Sequence, residues 1–432
     1  MSNILTVQET SLTSIADSIR KKTGKTDKIK FPAGFVSEID SIQTGGGSAP
    51  AEEIKEKDVN FFDYDGTLIA SYTEAEAKAL TALPTPPEHS GLVFQGWNYT
   101  LEEVKANAEM ADVGALYTTD DGATRLEIEV LERRDIRVRF SQTKASGVLI
   151  DWGDGKSERS SGIAGQTYAL HNYEEPGRYT ITLTIDDDCS VTLGSYSSYS
   201  SYLICIDSLG SNAAQNVLQK LHIGDRVVKI DKSAFYNHYA LHSVSMNQGI
   251  TALADECFKF SSIEFITIPS GVEAIPYSAF NTCGCLRTIS LPVSVQNLGQ
   301  YSIYQCKALK RLNLKNVTNP QSRAVSSDNA INEIAVNADI AYIPNYFCCD
   351  CTGLERIAFL GNVKTFYSGA LSGCYSLKIV DLTHCEAVPT LQDTTIFSSA
   401  GSDLEILVPA ALAEEWKQAT NWTSLAKYIK GV

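Results

Sequence analysis

Between Leu218 and Leu382 one hydrophobic phrase recurs: an apolar position, two variable ones, a second apolar position, one variable, a third apolar position, then a turn. It begins at Leu218, Leu241, Ile263, Leu286, Leu309, Ile331, Leu354 and Leu377, at spacings of 22 or 23 residues. A second apolar column keeps step ahead of these starts, at Phe235, Phe258, Phe280, Ile303, Val325, Cys348 and Leu371. Three residues before four of the starts stands a cysteine, at Cys283, Cys306, Cys351 and Cys374. So short a unit cannot bury its own apolar edge and must hide it against the next, which predicts a solenoid. Period-2 spacing within LRTISLP sends Ile289 and Leu291 to the core and leaves Thr288 and Ser290 on an open face. Repeated along the array, this gives a strip of candidate binding residues: Phe265, Thr267, Thr288, Ser290, Arg311, Asn313, Glu333 and Arg356. Such a strip is a surface, not a catalytic pocket. The polar run from Asn316 to Asp328 departs from the pattern and puts the geometry of that coil in doubt.

Other periodicities precede the array. Leu12, Ile15 and Ile19 fall on one helical face closed by Arg20 to Lys22 and Gly24, and Phe35, Ile39 and Ile42 mark a second short helix. These faces are too small to make a core alone, so residues 1–45 are expected to attach to another chain. A Gly/Ser/Pro-rich linker fills 46–57. Residues 58–124 read as a small α+β module. FFDYDGTLIASY gives strand, Asp-Gly turn and strand; Thr73 with Glu76 and Thr100 with Glu103 give two capping boxes; DDG at Asp120 to Gly122 gives another hairpin. Residues 125–194 alternate cleanly, with Ile136, Val138 and Phe140, then Val148, Ile150 and Trp152, then Ile181, Leu183 and Ile185 pointing inward, which predicts an antiparallel β-sandwich. After the solenoid at 195–403, residues 404–432 predict a terminal cap, with a helix around Leu412 to Ala419 packing Trp416 and Trp422 over the last coil. The fold class is multidomain: helical hairpin, α+β module, sandwich, β-solenoid and helical cap.

Composition narrows the function. The chain has 432 residues, 44% hydrophobic and 20% charged, with a formal charge of -15. That balance argues against disorder and against a nucleic-acid partner, which calls for a basic face. No apolar run reaches the roughly 18 residues of a membrane helix, and the first residues do not read as a signal peptide, so no membrane insertion is expected and folding in a cytoplasm is. The 11 cysteines are odd in number and begin at Cys189. A row of buried thiols is the favoured reading, with disulfides between coils or a Cys348, Cys349 and Cys351 metal site as alternatives. Asp186, Asp187 and Asp188 are read as solvated loop acids, with calcium as the alternative. The DYDGTL motif resembles the nucleophile motif of haloacid-dehalogenase-type phosphatases, but too little chain surrounds it for the sheet that chemistry needs. Scattered histidines and the lack of phosphate-loop, dinucleotide and zinc-hydrolase motifs lead to the expectation of no enzyme, no cofactor and no metal. Glu333 and Asp381, two coils or roughly 10 Å apart, do not make a glycosidase pair across a cleft. The stretch GSYSSYSSYLICIDS reads as an edge strand and first-coil cap, with a Tyr/Ser contact surface as the alternative.

Several stretches carry family resemblances. IPYSAFNTCGCLRTISLP and YSGALSGCYSLKIVDL resemble BspA-type leucine-rich repeats, and the segment from Leu404 to Ile429 resembles the cap of such arrays; the resemblance implies a binding module without chemistry of its own. WGDG with HNYEEPGRYTITLTI resembles a PKD-type immunoglobulin-like domain, implying a spacer. LTSIADSIRKKTGKTDKIKFPAGFVSEIDSI and GLVFQGWNYT resemble segments of tail and baseplate proteins of phages infecting Gram-positive gut bacteria. Together these imply a virion protein of the tail or baseplate region, a receptor-binding fibre, assembled in the host cytoplasm and exposed outside the cell. It would attach to other virion proteins through Leu12, Ile15, Ile19, Phe35 and Ile39. It would bind a host surface glycan or protein through the strip, and form a homo-oligomer, a trimer for choice. The alternatives are a capsid-decorating or head-fibre protein, or a bacterial surface adhesin.

Overall fold

The computed structural model describes residues 55–131, 134–160, 165–194, 204–206, 217–337 and 340–432. The chain divides into two compact units, Met1–Glu53 and Ile54–Val432, and the described residues all belong to the second. The attachment residues expected at Leu12, Ile15, Ile19, Phe35 and Ile39 therefore lie outside the described residues, as does most of the Tyr/Ser stretch.

The α+β module is a four-stranded sheet in which β1 (Val59–Phe62) and β2 (Leu68–Tyr72) flank a tight turn, followed by α1 (Glu74–Lys78), β3 (Leu92–Trp97), α2 (Leu101–Ala106) and β4 (Ala111–Thr119). The strand order is β2-β1-β4-β3, with β1 and β4 parallel. Thr73 with Glu76 and Thr100 with Glu103 form complete capping boxes, each satisfying donors that a helix start otherwise leaves bare. DYDGTL is the β1–β2 turn, closed by Asp63 N donating to Thr67 O at 2.8 Å.

The DDG turn differs from the hairpin expected. Gly122 N donates to Thr119 O, but the turn hands the chain from β4 to β5 (Thr124–Val130), which belongs to a different sheet. There β5, β6 (Arg134–Gln142), β7 (Val148–Asp151), β8 (Ser157–Arg159), β9 (Gly165–Tyr173), β10 (Gly177–Ile185), β11 (Val191–Leu193) and β12 (Ile204–Ile206) distribute over two sheets. Between them the predicted inward residues Ile136, Val138, Phe140, Val148, Ile150 and Trp152 are at most 1% exposed. Trp152 stacks on His171 at 4.8 Å and accepts a hydrogen bond at its carbonyl from the Tyr173 hydroxyl.

Both sheets run on into the first coil. β13 (Leu218–His222) pairs antiparallel with β5, and β14 (Val227–Ile230) pairs parallel with β11. The apolar residues of sheets and solenoid accordingly form a single core. From there successive coils pair in parallel and in register, as in Arg311↔Glu333↔Arg356↔Ile379↔Glu405. Phe235, Phe258 and Phe280 stack face to face at 5.0 and 5.5 Å. The polar stretch Asn316–Asp328 keeps the coil, since Asn319–Pro320 pairs with Asn297–Leu298 and Val325–Ser326 with Ile303–Tyr304.

Each coil turns two corners on left-handed residues four apart: Ser233 and Asn237, Glu256 and Phe260, Ser278 and Thr282, Tyr301 and Gln305, Arg323 and Ser327, Tyr346 and Asp350, Gly369 and Gly373. Non-glycine residues there cost roughly 1–2 kcal/mol each. Rung-to-rung bonds hold them, such as Glu256 N to Tyr277 O and Phe260 N to Asn281 O, both 2.9 Å. At the end of the array the strand Glu405–Val408 pairs with Ile429–Gly431, and α3 (Ala413–Gln418) lies between them in sequence. Trp416 and Trp422 are fully buried with ring centroids 4.7 Å apart.

Candidate functional site

The strip predicted as an open face is open over only part of its length. The α+β module, expected as a spacer, lies along its first half. Gly114 on β4 sits so close to Thr267 that a Cβ there would meet Thr267 Oγ1 at 2.0 Å, and a Cβ at Gly66 would meet Phe265 Cβ at 2.8 Å. These two glycines let one backbone lie directly on the other. Phe265 packs on Phe62 at 5.3 Å, and Phe265, Thr267 and Ser290 are at most 3% exposed.

Asn98 fastens the contact. Its Nδ2 donates to Ile268 O at 3.1 Å, Ser290 O at 3.2 Å and Ser290 Oγ at 2.8 Å, while its Oδ1 accepts from Gly114 N at 2.9 Å. The Tyr99 hydroxyl donates to Leu291 O at 2.7 Å. Farther along, Arg311 donates to the carbonyls of Lys57 and Asp58 at 2.6 and 2.5 Å and lies 3.3 Å from the Asp112 carboxylate. Burial pushes the Asp112 carboxyl up, and Arg311 partly offsets that. Asn313 donates to Met110 O at 2.5 Å, and Lys315 pairs with Glu109.

Of the eight candidate residues, then, Phe265, Thr267, Ser290, Arg311 and Asn313 are engaged within the chain, and Thr288 is half-buried beside them. Glu333 and Arg356 remain outside the module. Arg356 pairs with Glu333 at 3.5 Å and with Asp381 at 2.7 Å, and Lys430 pairs with Glu405 one rung apart. The uncovered strip carries charges of both signs on successive rungs, Glu333, Arg356, Asp381 and Glu405, with Ile379 in register between Arg356 and Glu405.

Other candidates resolve locally. Cys283, Cys306, Cys351 and Cys374 form a fully buried column of free thiols. The thiols of Cys283, Cys306 and Cys374 each donate at 3.1 Å to a carbonyl of the preceding coil. Burial pushes the Cys283 and Cys374 thiols up to about 12. The column also contains His238, Ser261 and Asp328, which the cysteine spacing alone did not flag. Asp186, Asp187 and Asp188 meet cations: Lys144 and Arg159 at Asp186, Arg226 at Asp187, Lys144 at Asp188. No group of three metal-ligating side chains comes together among the described residues. Nor is any described helix long and apolar enough to cross a membrane.

Where the module, β5 and the first coil meet lies a polar cavity of about 420 Å³, which sequence reasoning missed because its walls come from distant segments. Buried Asp63 bonds His89 Nε2 at 2.7 Å on its module side, and Tyr64 stands edge-on to His89 and His222 at 5.1 and 5.7 Å. Burial lowers the pKa of His222, with Glu127 opposing.

Residues 205–286 and 273–400 match the BspA type leucine-rich repeat region, six copies in all. The C-terminal β-solenoid is thus of leucine-rich-repeat type. The chain is similar to a leucine-rich repeat protein from Bacteroides ovatus (15% identity, 46% of this chain and 68% of that one, TM-score 0.33). It is also similar to the T. pallidum leucine rich repeat protein (17% identity, 49% and 83%, TM-score 0.30). A third similarity is to the pneumococcal vaccine antigen PcpA (13% identity, 50% and 69%, TM-score 0.25). No curated protein matches the chain.

Proposed function

We propose that this chain is a surface-recognition protein of the adhesin kind, which acts by binding rather than by chemistry. The observation that carries the reading is the uncovered half of the strip. Glu333, Arg356, Asp381 and Glu405 stand one per rung on a continuous core, the kind of extended, preorganised surface that repeat arrays use to grip a partner. The leucine-rich-repeat match supports it. The partner is a protein or glycan of a cell surface.

A second reading keeps the same binding face and places the chain on a phage particle, in the tail or on the capsid, held by residues 1–45. Its support is the resemblance of that segment and of GLVFQGWNYT to tail and baseplate proteins. The PKD-like stretch then belongs to the rigid body that presents the face, and a trimer would multiply weak contacts through effective concentration.

Fluorescently labelled full-length chain should bind intact target cells. Arg356→Glu combined with Glu405→Lys should abolish that binding while circular dichroism stays unchanged; undiminished binding rejects the strip as the contact. Immunogold labelling of producing cultures separates the two readings: label on cell envelopes supports the adhesin, label on particles the virion protein.

A further inference from the structure

The polar cavity has a neighbour. A second cavity, of about 310 Å³, is lined by Arg178, Tyr179 and His242, and both cavities share Glu127 and Lys220 as walls. Strand register explains the arrangement. Glu127 on β5 faces Lys220 on β13; two residues along the pair, on the same face, Arg125 faces His222 in the first cavity, and in the other direction Ile128 and Gln219 line the second. The two cavities are lobes of one groove along the seam where the antiparallel sheet becomes the first coil, with the Glu127–Lys220 pair, 4.0 Å apart, between them.

The lining is polar without being charged overall. Arg125 is met by Asp121 at 2.7 Å, Lys220 by Glu127, and Arg178 by Glu129 at 3.4 Å. An anionic ligand would face the carboxylates of Asp120 and Glu127, and a cationic one Arg125 and Lys220. A ligand whose groups both donate and accept suits carboxylate, ammonium, guanidinium and imidazole at once. The first lobe also holds a tyrosine ring, Tyr64, fixed by ring contacts with His89, Tyr117 and His222, whereas the Tyr179 ring packs inward on Tyr173 at 4.5 Å. A flat apolar platform next to paired donors and acceptors complements a sugar ring, which has apolar faces and a hydroxyl rim. The first lobe falls within the usual range of ligand pockets, about 300–1,000 Å³.

We infer that this seam groove binds a neutral oligosaccharide, one sugar stacked on Tyr64 in the first lobe and the next hydrogen-bonded in the second, with their hydroxyls shared at the Glu127–Lys220 pair. The inference deepens the surface-recognition reading and rests on it, while adding a site distinct from the strip.

The test exposes the full-length chain to an array of immobilised neutral, sialylated and sulfated oligosaccharides, then titrates the best neutral one calorimetrically. Binding to neutral oligosaccharides is expected, stronger for two sugars than for one. Glu127→Gln and Arg178→Ala should each weaken it about tenfold, the loss of one hydrogen bond to a charged group. The Arg178 side chain is 84% exposed, so its removal cannot unfold the protein. Lys417→Ala on α3 should change nothing. Binding confined to anionic glycans, binding unaffected by both groove variants, or an empty array overturns the inference. An empty array with intact cell binding rejects the groove alone, whereas loss of both rejects the surface-recognition reading as well.

Discussion

Asn98 and Ser290, 192 positions apart in sequence, meet in the interior: the Asn98 amide donates to both the carbonyl and the hydroxyl of Ser290, and that hydroxyl donates on to Asp112 O at 2.5 Å. One side chain thereby satisfies polar groups on two solenoid rungs and on β4. Asn98→Ala would leave Ile268 O and Gly114 N buried without the Asn98 partner, at about 1–3 kcal/mol each, while Ser290 O keeps its bond from Ile268 N. The thermal midpoint should fall by several degrees, and amide exchange in β4 should speed up. Exchange in β4 unchanged from the parent contradicts the fastening role.

Gly114 gives a complementary test. Gly114→Ala forces a methyl into Thr267 and should destabilise by about 1–3 kcal/mol, as overpacking does. Thr267→Gly should be tolerated poorly by itself yet recover much of the loss in the Gly114→Ala background. Strictly additive effects in denaturant melts would mean that the two residues do not touch.

Asp328 lies fully buried in the cysteine column, its Oδ1 accepting from Cys306 N at 2.5 Å, and burial raises its pKa well above the ordinary value. A carboxyl raised on folding binds more protons folded than unfolded. Its contribution is therefore intact below pH about 4 and declines as pH rises through the gap between the two pKa values. Asp328→Asn should match the parent in acid and exceed it by about 2 kcal/mol or more at pH 8. Parallel stability curves from pH 4 to pH 8 would rule this out.

The thiol column predicts a labelling pattern. Among the ten cysteines whose side chains are described, Cys285 is exposed and the other nine are buried. Iodoacetamide should modify Cys285 within minutes, and Cys283, Cys306, Cys351 and Cys374 about a hundredfold more slowly, because the thiolate is the nucleophile and burial suppresses it. Peptide mass spectrometry reads the order, and labelling of the column at the rate of Cys285 would count against it.

Local requirements were legible in the sequence and long-range ones were not. The coil starts, the Phe235–Phe258–Phe280 column and the Thr73 and Thr100 caps each answer to neighbours within a turn or one repeat. What covers Phe265 does not. β4 held a clue, since all nine of its residues are buried, and ADVGALYTT lacks the polar alternation of a strand with one wet face. The left-handed corners escaped notice because Glu256, Phe260 and Tyr301 occupy them where glycine is the usual signal. Asp328 escaped because it replaces a cysteine at a position recognised by its thiols.

The Arg311 clasp onto Lys57 and Asp58 has a mechanical corollary. Tension applied at residue 55 enters the body beside that clasp and spreads across the Asn98, Tyr99 and Arg311 bonds in shear, three rungs at once, instead of peeling coils singly. A pull at the front of the described body is thus buckled to the middle of the array rather than to its first coil.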